Sequence, residues 1–245
     1  MNVGVLLRLS LMLVIIASML SCSSLESSSS TTLKRETLNL NKDFLSPQLI
    51  SLSKTEAMTR SASVKVLTGV GHGTGTYFKY RNRHIVITAS HVTKRSQIFI
   101  IVDKFGNKRI GSLIYADPSA DFAVILIPAF DKIKPVPLKV PRYNPRDEID
   151  REVIFSSYPG RQTLRTVRGS ISGVEGPYVV LYSTAWPGSS GAGVFDENGN
   201  FVGVLFALTM TNFNKSPVLL ESMVWIEPYN NISWNLFNKI VENLN

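Results

Sequence analysis

The segment 186–194, WPGSSGAGV, combines closely spaced glycines with two adjacent serines and then runs into an apolar stretch. Glycine permits tight backbone conformations, so Gly188 and Gly191 can fold the chain closely enough to present one hydroxyl group. The amides of Gly188 and Ser190 would then converge on one point, as stabilisation of an oxyanion requires. Ser190, and not Ser189, has a glycine two residues before it and another directly after it. Ser190 is therefore the candidate nucleophile, although a segment of this composition is often no more than a turn.

A histidine at the end of an apolar strand is the second candidate. His91 follows the segment 85–90, IVITAS, which is typical of a strand that ends in small residues. Its imidazole is therefore expected at a strand end rather than deep in a core. His72 lies between two glycines and His84 stands beside Arg83, so these two histidines are expected to be surface residues.

An aspartate at the start of an apolar strand is the third candidate. Asp121 directly precedes the segment 122–127, FAVILI. An unpaired charge at the mouth of a buried strand would be costly, so a hydrogen-bonded partner is expected for this carboxylate. Asp117 competes for the role, but it is followed by Pro118, which is typical of a turn. Asp121 is preferred, and an edge or turn aspartate is the alternative.

The rest of the chain favours an all-β body. Its 245 residues, 44% of them hydrophobic, are enough for a packed core, and the 16 Gly and 12 Pro are scattered among short runs of branched and aromatic residues. Five prolines between residues 128 and 145 indicate a surface connector between two β-modules. Apolar residues at helical spacing in 236–244, with Ser233 as a cap, predict one terminal helix, expected to pack on the second module.

The three candidates occur in the order His, Asp, Ser, and with their surroundings they resemble the trypsin-like (chymotrypsin-fold) serine peptidases over about 62–241. The resemblance rests on T-A-S-H ending at His91, D-F-A-V starting at Asp121 and G-S-S-G-A-G around Ser190, with further matches at 71–76, 158–160 and 198–203. It implies two six-stranded antiparallel β-barrels and a C-terminal α-helix, with His91 and Asp121 in the first barrel and Ser190 in the second.

The same resemblance implies the domain boundaries. The protease domain is expected at 61–245, with barrel one at about 61–127, the connector at about 128–150, barrel two at about 151–230 and the helix at about 232–244. Ala192 and Gly193 stand where the family usually has Gly and Pro, and Ser189 replaces an aspartate of digestive members. With no disulfide to form, the chain is nearer the bacterial Deg/HtrA-type or glutamyl-endopeptidase-like branches, and no PDZ domain is expected after Val241.

The resemblance also implies a mechanism, with protein or peptide as substrate. His91 would take the proton from Ser190, Asp121 would hold the imidazole, and the amides of Gly188 and Ser190 would form the oxyanion hole. No metal and no organic cofactor is expected. The residues of the substrate pocket would be Thr184, Phe206, Ala207 and Leu208. None is charged, which favours a small or medium apolar side chain, while an acidic preference stays open.

Two other function classes remain open. A protease-fold module without catalytic activity could act as a binding or scaffold protein in the cell envelope, and an esterase could use the same three residues on a non-peptide ester. The presence of all three candidates disfavours the scaffold. Only substrate profiling separates the esterase from the peptidase.

The N-terminus is expected to direct export. Residues 1–22 combine Arg8 with an apolar run over 9–20, a pattern typical of a signal peptide. Cys22, the single cysteine, stands where bacterial lipoproteins carry lipid, and membrane anchoring through it, plain cleavage and an uncleaved anchor all remain open. Residues 23–60 are predicted to be a Ser/Thr-rich flexible linker or leader. The protein is expected to be periplasmic, membrane-anchored or extracellular.

The formal net charge of +8 is concentrated in the first module. Residues 60–109 contain ten Lys or Arg residues and one acid, Asp103. A solvated basic face is the favoured interpretation, with attraction to an anionic envelope surface or an acidic substrate as the alternative. Nucleic-acid binding is not expected, because no motif supports it beyond charge.

Overall fold

Strands make up most of the chain described by the computed structural model, which covers residues 52–69, 71–94, 96–160, 162–213 and 216–243. The helices within these ranges are α1 (Lys54–Ala62), α2 (Ser90–Thr93) and α3 (Trp234–Glu242). The strands are β1 (Ser63–Leu67), β2 (His72–Tyr80), β3 (Arg83–Ala89), β4 (Ile98–Val102), β5 (Lys108–Asp117), β6 (Phe122–Leu126), β7 (Val136–Pro137), β8 (Glu152–Ser157), β9 (Arg165–Glu175), β10 (Tyr178–Tyr182), β11 (Gly193–Asp196), β12 (Phe201–Phe213) and β13 (Ser216–Pro228).

The strands form two closed barrels. Barrel one has the antiparallel order β1-β4-β5-β6-β3-β2 and is closed by pairing between β1 and β2, while the two-residue β7 lies parallel to β2. Barrel two is closed in the order β10-β13-β12-β11-β8-β9. The predicted all-β fold of two six-stranded antiparallel barrels with a C-terminal helix is therefore confirmed.

Aromatic side chains join the two barrels. Phe78 on β2 contacts Phe201 on β12, with their ring centroids 5.5 Å apart and nearly perpendicular, and Phe195 on β11 at 6.1 Å. All three rings are fully buried. Burial of such large apolar surfaces fixes one barrel against the other, and with it the groups that each barrel presents at their junction.

The C-terminal helix α3 packs on barrel one. Phe237 is fully buried and lies 5.2 Å from the ring of Tyr80, 6.2 Å from Tyr115 and 6.5 Å from Phe122. The expectation that this helix packs on the second module was wrong, because the aromatic residues that can cover Phe237 lie on β2, β5 and β6. Ser233 occupies the N-cap position, as predicted, but its side chain accepts no capping hydrogen bond from the helix.

A helix not predicted from the sequence, α1, precedes β1. Ser53 and Glu56 form a capping box at its start, and the Thr59 hydroxyl lies 3.0 Å from that of Ser156 on β8. The helix overlaps residues 54–60 of the predicted linker, so an ordered element lies there. The described residues belong to one compact unit, Ser51–Asn245, and both hydrophobic cores are built within it.

The predicted signal segment 1–22 and its Cys22 lie outside the described residues, as does most of the predicted linker. Within the described ranges, no helix combines the length and the apolar character needed to span a bilayer.

Candidate active site

His91 and Asp121 meet because their strands pair. In the antiparallel ladder of β3 and β6, Ala89 lies opposite Phe122, so the residues that follow β3 meet the residue that precedes β6. The Asp121 carbonyl accepts a hydrogen bond from the Ser90 amide at 3.0 Å, which fixes the entry into α2. The register of these two strands brings the two sequence-predicted residues together.

Both oxygens of the Asp121 carboxylate bond to His91. Oδ1 accepts from the backbone amide at 2.8 Å, and Oδ2 lies 2.6 Å from ring Nδ1. An ionised carboxylate can only accept, so Nδ1 carries a proton, and the tautomer that this bond favours has Nε2 as its acceptor. Asp121 holds this position at φ +37°, in the left-handed region, which the two strong hydrogen bonds stabilise.

Asp117, the competing aspartate, is a turn residue. Its Oδ1 accepts from the amide of Ser119 at 3.0 Å and from that of Ala120 at 3.3 Å. These bonds close the turn between β5 and β6, which is the alternative that the Asp-Pro sequence favoured.

The two serines of the glycine-rich segment have different surroundings. Ser189 is 1% exposed, and its hydroxyl accepts from the Ser157 hydroxyl at 3.0 Å. Ser190 is half-buried and lines a cleft of about 750 Å³ together with His91. Of the two hydroxyls, that of Ser190 is the one in a space a substrate can enter.

The backbone around Ser190 requires glycine. Gly188 and Gly191 have φ of +96° and +91°. A Cβ at Gly191 would lie 2.1 Å from both the Thr74 carbonyl and the Thr88 hydroxyl, so no side chain fits there. The motif that marked this segment in the sequence therefore has a steric cause in the fold.

Thr74 on β2 holds the same segment from barrel one. Its amide donates to the Ser190 carbonyl at 2.8 Å, and its hydroxyl donates to the Gly188 carbonyl at 2.7 Å. That hydroxyl also accepts from the Tyr158 amide at 3.0 Å. In the sequence, Thr74 is marked only by its place in the small-residue segment 71–76. That segment resembles a family motif, but the resemblance gives no role to Thr74.

The carbonyls before Ser190 are turned towards protein donors. The Pro187 carbonyl accepts from the Gly160 amide at 2.6 Å, and the Trp186 carbonyl accepts from the Ser189 amide at 2.9 Å. Within the described ranges, the amides of Gly188 and Ser190 donate to no protein acceptor. The Gly188 and Ser190 amides, which lie next to the Ser190 hydroxyl, are therefore not hydrogen-bonded to a carbonyl of their own segment.

The residues predicted for the substrate pocket lie on the second barrel. Thr184 lines a cavity of about 460 Å³, separate from the cleft that Ser190 lines. On β12, the Phe206 ring lies 4.8 Å from that of Tyr178, Ala207 pairs with Trp225 on β13, and Leu208 packs against the core of barrel two. Their role in binding a substrate stays a prediction.

The other two histidines were predicted to be surface residues, but both are half-buried in the structure. His72 is half-buried at the start of β2, lines the cleft, and its Nε2 lies 2.8 Å from the Tyr158 carbonyl. His84 is also half-buried and stacks on Tyr77, whose hydroxyl lies 2.5 Å from its Nδ1. Burial lowers the pKa of His84. Both were misjudged because the pairing of β2 with its neighbours cannot be read from flanking residues.

A buried carboxylic acid, Glu227 on β13, was missed altogether. It is 2% exposed, its Oε1 accepts from Asn231 at 2.6 Å, and its Oε2 has no hydrogen-bond partner among the described residues. Burial, together with the smaller effect of the negative charge of Asp121, raises the pKa of Glu227 to about 7. A glutamate beside Pro228 at the end of an alternating strand carries no sequence signal of this kind.

Comparisons with known proteins agree with this architecture. A family model described as a trypsin-like peptidase domain matches residues 73–204, more than half of the chain. No curated protein matches. An inactive form of Rv3671c from M. tuberculosis H37Rv is similar, with a TM-score of 0.61 and 20% identity over 81% of this chain and 95% of that one. A serine endoprotease from Yersinia pestis has a TM-score of 0.60 and 18% identity over 77% of this chain and 66% of that one. At such identities the two structures show a shared fold.

Proposed function

The chain belongs to the trypsin-like peptidase family, as its motifs predicted, and on that premise we propose that it is a serine endopeptidase with Ser190 as nucleophile and His91 as general base. The observation that carries the proposal is the double hydrogen bond from His91 to Asp121 beside a cleft that Ser190 lines. A carboxylate that takes up both the amide and Nδ1 of one histidine fixes the ring with Nε2 free, as a general base requires.

The proposed reaction follows from these groups. His91 Nε2 accepts the proton of the Ser190 hydroxyl while Oγ bonds to the substrate carbonyl carbon, and the carbonyl π electrons move to oxygen. His91 then gives that proton to the leaving amine as the C–N bond breaks, which leaves an acyl-enzyme. A water molecule repeats the sequence with the acyl group and frees Ser190. Asp121 stays ionised and stabilises the imidazolium in both halves.

The developing oxyanion would be bound by the amides of Gly188 and Ser190. Their positions follow from the positive φ of Gly188 and from the Pro187 carbonyl, which is held by Gly160. Donors that are fixed before the reaction need no rearrangement in the transition state, and one such donor contributes roughly a hundredfold to a thousandfold in turnover.

Labelling of the full chain with a fluorophosphonate probe tests the proposal, because the probe reacts with an activated serine. We expect the wild type to be labelled, Ser190→Ala to be unlabelled and His91→Ala to be slower by at least about a thousandfold. Ser189→Ala is the matched control and should keep its labelling. A folded wild type that stays unlabelled would contradict the proposal and favour a binding module.

Substrate profiling completes this test. Turnover of internally quenched peptides by the wild type, lost in Ser190→Ala, supports the endopeptidase. Hydrolysis of esters without cleavage of any peptide in a broad library would instead identify an esterase with the same catalytic residues.

A further inference from the structure

Barrel one exposes an apolar face on its outer side. In the register of β4 with β5, Ile100 lies opposite Ile110, and β1 places Leu67 opposite Ile100. Ile98 lies on the same face, and Phe105 is at the tip of the β4–β5 hairpin. The exposed fractions are 68% for Ile110, 58% for Phe105, 57% for Ile98 and 44% for Ile100. These five residues are called the barrel-one face below.

The face is not needed to fill the barrel. The alternate residues of β4, Phe99 and Ile101, point inward and are buried, so the interior is already packed by the other side of the same strand. Three exposed isoleucines and a phenylalanine on neighbouring positions would lower the free energy of the protein if they were covered. A contiguous exposed patch of this kind marks an interaction site.

The exposed charges at the tip of the β4–β5 hairpin are positive. Lys104 and Lys108 are exposed at the hairpin, and the Lys104 ammonium lies 5.2 Å from the centroid of the Phe105 ring. Asp103, the one acid in residues 60–109, is 3% exposed, and its carboxylate accepts the amides of Phe105 and Asn107 at 2.9 Å each. The Asp103 carboxylate is therefore hydrogen-bonded to backbone amides inside the turn, and the exposed groups at the hairpin tip are apolar or cationic.

We propose that the barrel-one face docks on an anionic lipid bilayer. Isoleucine and phenylalanine side chains would enter the boundary between headgroups and acyl chains, while the two lysines bind the lipid headgroups, the combination found in interfacial membrane anchors. A second copy of the chain is a poorer occupant, because a two-fold interface would pair this face with the same face of the other copy, which adds two more lysines and no exposed acid from the hairpin tip 103–108 to neutralise them. The expected N-terminal export or lipoprotein signal fits an occupant of this chemistry.

Vesicle co-sedimentation tests the docking. The Ser51–Asn245 unit is used, since both cores lie within it and the apolar run 9–20 would bind vesicles by itself. We expect it to bind vesicles with 30% phosphatidylglycerol at least tenfold more tightly than pure phosphatidylcholine vesicles, with binding weakened by salt. Binding that does not differ between the two vesicles, or no binding at all, would overturn the proposal.

Two double variants with matched controls locate the contact. Lys104→Glu/Lys108→Glu and Phe105→Ser/Ile110→Thr should each weaken binding to the anionic vesicles at least tenfold. The controls change exposed residues elsewhere, Arg165→Glu/Lys239→Glu for charge and Val174→Thr/Leu236→Ser for apolar area, and should stay within about twofold of the wild type. Thermal unfolding confirms that each variant is folded.

Sedimentation velocity distinguishes the proposed membrane docking from the alternative occupant, a second copy of the chain. The unit is expected to be a monomer without lipid, before and after the face substitutions. A dimer that the Phe105→Ser/Ile110→Thr variant converts to monomer would overturn the membrane assignment in favour of a second copy. Because none of these readouts uses the active site, the docking proposal and the peptidase proposal can fail separately.

Discussion

The two sides of the cleft hold their reactive groups by different physical means. Barrel one holds His91 through a side chain, since both Asp121 oxygens accept from it. Barrel two holds Ser190 through backbone shape, with Gly188 and Gly191 at positive φ and no room for a Cβ at Gly191. The first side is therefore sensitive to a change of hydrogen-bonding chemistry and the second to a change of volume or of the bonds that position the backbone.

The largest effect is expected when the chemistry of barrel one is changed without changing its shape. In Asp121→Asn, the amide can present an NH₂ group to Nδ1, which favours the ring tautomer with the proton on Nε2 and removes the general base. The rate of fluorophosphonate labelling should fall by about 10³ to 10⁴, as for the equivalent exchange in the serine-protease triad. Asp117→Asn is the control and should label at the wild-type rate. A loss of less than tenfold in Asp121→Asn would mean that this carboxylate does not orient the base.

The same comparison explains which parts of the site could be predicted from the sequence. His91 and Asp121 flank apolar strands, so their placement at strand ends followed from local patterns, and the glycines near Ser190 marked a strained turn. Thr74 could not be found in this way, because its partners Gly188 and Tyr158 lie far along the chain. Glu227 could not be found because its burial depends on how β13 packs. Contacts across barrels leave no local pattern.

The fold shows the same limit. Alternating and apolar runs identified the strands, and family motifs supplied the barrel count. Helix α1 was missed because its face is mostly polar and two of its three buried residues, Thr55 and Thr59, are not apolar. The terminal helix was predicted from its spacing, but not the barrel it packs on, since an apolar stripe does not specify its partner surface; the aromatic residues that contact Phe237 lie on barrel one.

Glu227, a carboxyl on barrel two, extends the comparison: both oxygens of Asp121 accept a hydrogen bond, whereas Oε2 of Glu227 accepts none from the described residues. Burial raises its pKa from 4.5 to about 7; the bond from Asn231 and the charge of Arg146 oppose the rise, and the charges of Asp121 and Asp117 add to it. A raised pKa means that the folded state holds the proton more tightly than the unfolded state. This contribution to stability is therefore present below pH 4.5 and is lost as the pH rises to about 7, with a total loss of about 3 kcal/mol.

Urea unfolding of the wild type and of Glu227→Gln at pH 5 and pH 8 measures this contribution. The wild type should lose up to about 3 kcal/mol more than the variant over that interval, because glutamine does not titrate. Glu175→Gln, an exposed change on β9, is the control and should follow the wild type. Equal pH dependence in wild type and Glu227→Gln would show that Glu227 is ionised throughout and has a partner in solution.

The smallest effect is expected where the two sides are joined. Thr74→Val keeps the volume but removes the hydroxyl that binds the Gly188 carbonyl and the Tyr158 amide, and leaves the part-buried carbonyl and the buried amide without that partner. We expect a loss of about 1–2 kcal/mol in stability and roughly a tenfold slower labelling, because the nucleophile segment loses its positioning bond. Thr74→Ser retains the hydroxyl and should restore the labelling rate.

Thr76→Val separates positioning from stability. Thr76 is also buried on β2, and its hydroxyl accepts from the Gly193 amide at 3.0 Å, beyond the turn that carries Ser190. This variant should be destabilised by a similar amount and still label at the wild-type rate, since the bonds to Gly188 and Ser190 are intact. If Thr74→Val and Thr76→Val slowed labelling equally, the effect would come from general loosening of β2, and barrel one would contribute no specific restraint on the nucleophile of barrel two.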